Sequence, residues 1–102
     1  MITNPIYKLS SLSTDELIDI LREVQEEKKE ILIVGINFTF CVSPYYSSHV
    51  SSSVDEDHVL LMIREYGESC FTYTGKYPID DFDDFLYRLM EIDRDRVVTL
   101  WF

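Results

Sequence analysis

Residues 13–42 read STDELIDILREVQEEKKEILIVGINFTFCV, and the spacing of the apolar side chains changes in the middle of this stretch. Ser13 followed by Glu16 fits a capping box, in which each side chain accepts a hydrogen bond from the other residue's free backbone N–H. Four apolar residues then recur at the spacing of one helix face: Leu17, Ile20, Leu21 and Val24. We predict a helix from Thr14 to about Lys29.

The second half of the stretch has the composition of a β-strand. Ile31 to Val34 is a continuous aliphatic run, and apolar side chains then alternate from Ile36 to Val42. β-Branched and aromatic residues of this kind favour an extended backbone. We predict one central strand from Ile31 to Val42, with Gly35 as a candidate bulge.

The segments around this stretch predict a covering segment, a loop and a hairpin. Residues 1–12 are too apolar for a free tail and too irregular for a helix, so we expect them to cover the domain. Residues 43–57 contain six serines and predict one long loop, a kind of segment that is often functional. Residues 58–66 and 69–74 flank Gly67, which suggests an antiparallel hairpin.

The end of the chain predicts a second helix and a last strand. Asp80 can cap a helix that runs to about Asp93. Its apolar residues again share one face: Phe82, Phe85, Leu86 and Leu89. Residues 97–102 are apolar apart from one threonine and predict a buried strand.

These elements predict a single α+β domain over residues 1–102, in the order α-β-β-β-α-β. We expect two amphipathic helices on one face of a four-stranded mixed sheet. The alternation of the strands also places apolar residues on the second face: Leu32, Val34, Leu60 and Met62. Either the N-terminal segment or a second copy of the chain is expected to cover them.

The chain is strongly acidic, since nineteen Asp and Glu against nine Lys and Arg give a net charge of -10. Hydrophobic residues make up 46% of the chain, so the acids belong to a folded surface rather than to a disordered tail. This charge repels phosphate backbones and anionic lipids, which argues against direct binding to nucleic acid or membrane. It favours basic protein partners, such as nucleic-acid-binding effectors or cationic toxins.

The cysteines and the hydropathy pattern indicate a cytoplasmic protein. The chain has two cysteines, Cys41 and Cys70, and both lie in predicted strands. We expect two unpaired thiols in a reducing compartment, with a disulfide as the alternative. The sequence shows neither a signal-peptide pattern nor an apolar run near the roughly 20 residues of a membrane span.

No catalytic, metal or cofactor motif is recognisable. Phosphate-binding loops need clustered glycines, whereas the three glycines stand alone at positions 35, 67 and 75. The possible zinc ligands are far apart, so the fold would have to assemble such a site: Cys41, His49, His58 and Cys70. Each candidate nucleophile lacks an evident base. We predict a protein without enzymatic activity, cofactor or metal.

Three blocks carry the negative charge: residues 13–30 with -4, residues 55–57 with -3 and residues 80–84 with -4. They are either ordinary solvated surface or a surface that complements a basic groove. The adjacent tyrosines either belong to that binding surface or fold back onto the core. The candidate partner-binding residues are Asp55, Glu56, Asp57, Asp80, Asp81, Asp83, Asp84, Tyr45 and Tyr46.

In size, acidity, helix-then-sheet order and absence of catalytic motifs, the chain resembles the small inhibitors that phages use against host defences, including anti-CRISPR proteins and DNA mimics. The resemblance is one of overall character and assigns no site residues. It implies a viral protein that blocks a basic nucleic-acid groove. The alternatives are an immunity protein or antitoxin, similar to the barstar type in strategy, and a homodimeric accessory or scaffold protein.

Overall fold

The computed structural model describes residues 5–46, 54–79 and 81–98, and for Val54, Asp55, Glu56 and Tyr73 it describes the backbone alone. Within these ranges the chain forms two helices and a five-stranded mixed sheet with strand order β1-β2-β3-β4-β5. The elements in chain order are β1 (Ile6–Lys8), α1 (Thr14–Glu27), β2 (Ile31–Val34), β3 (Phe38–Tyr46), β4 (Val54–Glu65), β5 (Tyr73–Pro78) and α2 (Phe82–Asp95).

Helix α1 begins as the sequence predicts and ends close to the predicted position. The Ser13 hydroxyl accepts a hydrogen bond from the Glu16 backbone N–H at 3.2 Å, and the Glu16 carboxylate accepts one from the Ser13 N–H at 3.3 Å. The predicted apolar stripe is fully or almost fully buried. The helix stops at Glu27 because Lys28 adopts a left-handed backbone conformation with φ of 55°.

The prediction of one strand over Ile31–Val42 is wrong, because β2 and β3 form an antiparallel hairpin. Gly35 lies in its turn and is not a bulge, and its N–H donates to the Phe38 carbonyl at 2.8 Å. The sequence pattern does not reveal this turn, because Ile36 within it is apolar and continues the alternation of the strands, although its side chain is exposed.

The N-terminal segment joins the sheet instead of lying across it. β1 is an edge strand parallel to β2, with Ile6 opposite Leu32. The short 3-10 turn Leu9–Ser11 follows, and Leu9 and Leu12 enter the core. This strand is one reason why the predicted four-strand count is wrong.

The connection predicted as a loop over residues 43–57 is shorter in the structure, because strands occupy both of its ends. β3 continues to Tyr46 and β4 begins at Val54, and the two strands pair with an irregularity between Pro44 and Tyr46. The predicted hairpin of β4 with the following strand is present, but β5 spans Tyr73–Pro78.

Helix α2 is capped by Asp81 and extends to Asp95, whereas Asp80 lies outside the described residues. The predicted last strand is not formed by Val97 and Val98, and residues 99–102 lie outside the described part of the chain. The α+β class is therefore confirmed, while the predicted number and order of strands are wrong.

The hydrophobic core lies between the helices and one face of the sheet, with the Tyr77 and Phe85 rings in edge contact at 5.8 Å. The opposite face carries a half-buried apolar row: Leu32, Val34, Leu60 and Met62. Thr39, Cys41 and Ser43 alternate with the core residues of β3 and are also buried. Neither described helix is long and apolar enough to cross a membrane.

Candidate functional site

Two acidic runs of the sequence meet at one edge of the fold. His58 in β4 lies opposite Pro78 at the end of β5. The next residue, Ile79, donates its backbone N–H to the Asp57 carbonyl at 2.9 Å. This bond places the run 55–57 beside the segment that leads into α2 and its acidic first turn.

The acidic residues at the start of α2 interact with the helix itself. The Asp81 carboxylate accepts a hydrogen bond from the Asp84 N–H at 3.0 Å and caps the helix. Asp83 and Asp84 occupy the first turn, where the helix dipole stabilises negative charge. Asp84 also forms an ion pair with Arg88, at 2.9 Å from its carboxylate to the Arg88 Nε. The repulsion among these acids is thereby partly compensated within the chain.

A third acidic segment joins this edge through a contact between the two helices. The Thr14 hydroxyl donates to the Asp83 carboxylate at 2.7 Å, and this bond connects residues 69 positions apart. It brings the first turn of α1, with exposed Asp15 and Glu16, next to the first turn of α2. We call this region the acidic edge: Asp15, Glu16, Asp57, Asp81, Asp83 and Asp84.

The two tyrosines take different positions at the same end of the sheet. Tyr46 is 45% exposed and lies opposite Val54 at the end of β3. Tyr45 is half-buried, with its ring centroid 6.5 Å from that of His58 and 5.3 Å from the Lys76 ammonium group. Of the pair, Tyr46 is therefore the more accessible at this end of the sheet.

The remaining candidate residues are placed only in part. Asp55 and Glu56 lie in the β4 backbone just before Asp57, and nothing about their side chains is described. Asp80 lies outside the described residues. The sequence analysis chose the runs 55–57 and 80–84 as candidates by their density of acids. It counted Asp15 and Glu16 in the acidic block 13–30 but did not name them as candidates, because no local signal indicates the Thr14–Asp83 contact.

Asp93 has a structural role that the sequence analysis missed. It is only 5% exposed, and its carboxylate accepts three backbone hydrogen bonds, from Ile36 and Asn37 at 2.8 Å and from Phe38 at 3.0 Å. The Asn37 side chain donates in turn to the Asp93 carbonyl at 2.6 Å. The end of α2 is thus fastened to the β2–β3 turn. The sequence signal for this role is spacing. Asp93 lies four residues after Leu89 and therefore falls on the buried face of α2.

The described residues contain no group of three or more His, Cys, Asp or Glu side chains arranged to hold a metal ion. Cys41 and Cys70 are both free thiols. Cys41 is buried in β3, but Cys70 is exposed in the connection between β4 and β5, so its predicted place in a strand is wrong. His49 lies outside the described residues.

Comparisons of the chain with protein-family models, with curated proteins and with solved structures gave no match. The function is therefore inferred from the residues and the geometry of this chain.

Proposed function

We propose that the protein acts by binding, as an acidic inhibitor that occupies the basic nucleic-acid-binding surface of a partner protein. The observation that carries this proposal is the Ile79–Asp57 backbone hydrogen bond, which joins two acidic runs into one edge. The Thr14–Asp83 bond adds the first turn of α1 to it. A group of carboxylates at one edge presents negative charge, as a phosphate backbone does, and negative charge is what a basic groove binds.

The electrostatics of the edge favour rapid association with a cationic surface. Charged rims raise association rates through long-range attraction, and salt screens this effect. Arg88 compensates one acid of the edge, since it pairs with Asp84, and Lys76 lies over the Tyr45 ring. The exposed carboxylates of Asp15, Asp81 and Asp83 present negative charge that a partner's cations can approach.

Tyr46 supplies the apolar contact that charge alone does not provide. Tyrosines at interfaces combine a large contact area with little loss of side-chain entropy. With 45% of its surface exposed at the same end of the sheet as the acidic edge, Tyr46 is suited to pack against the aliphatic part of a partner's Arg or Lys side chain.

The proposal has two forms, which differ in the kind of partner. A nucleic-acid-binding defence effector is the partner that the resemblance to phage inhibitors implies. A cationic toxin would make the protein an immunity protein or antitoxin. Capture of partners from a host lysate, followed by competition with DNA or RNA, distinguishes the two, because nucleic acid displaces the protein only from a nucleic-acid-binding groove.

The test of the acidic edge is a charge reversal that spares the helix cap. Asp15→Lys combined with Asp84→Lys should lower the affinity for a captured basic partner at least tenfold, because two edge acids become cations. Asp81 is left unchanged, since its carboxylate caps α2. The affinity of the unmodified protein should also fall as NaCl rises from about 0.1 M to about 1 M, where the Debye length shrinks to about 3 Å.

The matched control reverses two exposed acids elsewhere, Glu26 and Glu68, and so changes the net charge by the same amount. This Glu26→Lys and Glu68→Lys variant should retain most of the affinity. Equal losses in both variants would mean that only total charge matters, and unchanged binding in the edge variant would reject the edge as the binding surface.

A further inference from the structure

Strand β1 is paired on one side only. Within the described residues it lies at the edge of the sheet, parallel to β2, and no other strand pairs with it. The Pro5 carbonyl accepts a hydrogen bond from the Leu32 N–H at 2.9 Å, so the backbone of Pro5 faces β2. Backbone groups alternate in direction along a strand, and the N–H and C=O groups of Ile6 and Lys8 therefore point away from the sheet. Such an edge is a template for a further strand.

The Ile6 side chain is the exposed end of a row of side chains on the sheet face opposite the helices. It is 64% exposed and lies opposite Leu32 on β2. The row continues through Cys41 and Met62 on the next two strands, because residues directly opposite each other share a face. An apolar side chain on an added strand would extend this row and remove Ile6 from water.

On its other face β1 borders an acidic groove. Tyr7 packs against the core on the helix side, and a groove of about 380 Å³ lies between this tyrosine and α1. The lining contains one base of α1, Arg22, and four acids: Asp19, Glu23, Glu26 and Glu27. Since side chains alternate between the two faces of a sheet, a strand added at β1 would place every second side chain at this groove.

The groove remains negative after its own ion pairs are counted. The Lys29 ammonium group lies 3.7 Å from the Glu23 carboxylate and 3.6 Å from the Glu27 carboxylate. Asp19 and Glu26 are exposed and form no ion pair with any base in the described part of the chain. Four acids against two bases, Lys29 and the arginine of the lining, leave a net charge of -2. This charge complements cationic side chains.

We infer that β1 accepts an extended segment of a partner protein as an additional strand, in which basic residues alternate with apolar ones. Segment side chains on the helix side meet the acidic groove, which favours Lys or Arg. The side chains between them lie beside Ile6, which favours Val or Ile, and Lys8 on that same face repels a cation. The backbone groups of Ile6 and Lys8 supply the hydrogen bonds, as in other cases of strand addition.

This surface is separate from the acidic edge on which the proposed function depends. It consists of β1 and residues 19–27 of α1, whereas the acidic edge consists of Asp57 and the starts of the two helices. The inference therefore goes beyond the proposed function and does not need it. Different substitutions test the two surfaces.

A synthetic peptide tests the predicted alternation. The probe is a fluorescein-labelled hexapeptide of alternating lysine and valine, and the control has the same composition as a lysine block followed by a valine block. Both carry the same charge, but only the probe places lysines at the groove and valines beside Ile6. Fluorescence anisotropy should show about tenfold tighter binding of the probe. Equal affinities, or no binding at millimolar peptide, would overturn the inference.

Two substitutions at Lys8 separate backbone pairing from charge. Lys8→Pro removes the outward N–H, and proline is tolerated on an edge strand at such a position. Lys8→Ala removes the same positive charge but keeps the N–H. Lys8→Ala should bind the probe at least as tightly as the natural protein, because a repelling cation is lost, whereas Lys8→Pro should bind it about tenfold more weakly. Equal binding by the two variants, with circular dichroism showing both folded, would reject strand addition.

Methylated peptides give the same test without a change in the protein. One probe carries methyl groups on its lysine backbone nitrogens and the other on its valine backbone nitrogens. Alternate residues of an added strand direct their N–H groups to the neighbouring strand. Only one of the two methylated probes should therefore lose its binding, and equal binding of both would reject pairing with β1.

Charge reversal locates the lysines of the probe. Asp19→Lys combined with Glu26→Lys should weaken probe binding about tenfold, because the two acids without an ion pair become cations. The matched control is the edge variant, Asp15→Lys with Asp84→Lys, which changes the net charge equally and should retain the probe. Equal losses in both variants would mean that only total charge matters and would reject the groove. Loss in the edge variant alone would place the peptide at the acidic edge, so that the inference fails while the proposed function stands.

Discussion

Asp93 joins two parts of the chain that are more than fifty residues apart. Its carboxylate accepts the N–H groups of Ile36, Asn37 and Phe38, and the Phe38 bond is buried. Hydrogen bonds to an ionised acceptor are stronger than neutral ones, and a buried donor left without its acceptor is destabilising. Gly35 is required at this place because a Cβ atom there would overlap the Asp93 carboxylate.

Replacement of Asp93 by alanine should lower the free energy of unfolding by about 3 kcal/mol, since three backbone N–H groups lose their acceptor together. Urea denaturation followed by circular dichroism measures this change. The neighbouring Asp95→Ala serves as the control and should have little effect, because its ion pair with Arg94 lies at the surface. Similar losses in both variants would contradict the assigned role of Asp93.

The same clamp predicts coupling between Gly35 and Asp93 as a further check. Gly35→Ala should destabilise the natural protein, because the new methyl group would meet the Asp93 carboxylate. In the Asp93→Ala background that overlap is removed, so the two effects should be strongly non-additive. Additive effects would mean that the contact does not form.

At the scale of the elements, β3 is the strand around which the sheet is built. It pairs with β2 on one side and with β4 on the other, and its residues from Phe38 to Pro44 are buried on both faces. Ser43 on the face opposite the helices donates its hydroxyl to the Glu30 carboxylate at 2.9 Å. Cys41 lies on that face too, and burial raises the pKa of its thiol.

The two thiols should differ in reactivity because they lie in different elements. Cys70 is exposed in the β4–β5 connection, whereas Cys41 is buried in β3. A raised pKa leaves less reactive thiolate on Cys41 at neutral pH. A thiol-reactive dye should therefore modify one cysteine rapidly in the folded protein and the second after denaturation. Rapid modification of both in the folded state would contradict the placement of Cys41.

At the scale of the whole molecule, negative charge is concentrated where the two helices begin. The net charge of -10 is unevenly distributed, since acids gather at the acidic edge while Lys8 and Arg94 line a cleft near the opposite end of α2. Such clusters destabilise a folded protein through self-repulsion unless solvent, helix dipoles or a partner compensate them.

Moderate salt should accordingly stabilise the isolated protein. Raising NaCl from about 0.1 M to about 1 M screens the repulsion among the acids and should increase the melting temperature by a few degrees. Thermal unfolding followed by circular dichroism measures this change. A melting temperature that falls with salt would show that ion pairs within the chain outweigh the repulsion.

The sequence by itself determined the features that depend on residues within one or two turns of each other. The capping box of Ser13 and Glu16 and the apolar stripes of both helices are of this kind, because their partners are three to seven residues away. The net charge and the α+β class likewise follow from composition and local periodicity.

Only the tertiary structure decided the β2–β3 hairpin, the joining of β1 to the sheet and the convergence of the acidic runs. The turn at Gly35 depends on Asp93, and the acidic edge depends on the Thr14–Asp83 contact across 69 residues. Ile36 continues the apolar pattern of the strands although it is exposed at the turn. Local patterns record the preferences of neighbouring residues, whereas these contacts form only when the folded chain brings distant donors and acceptors together.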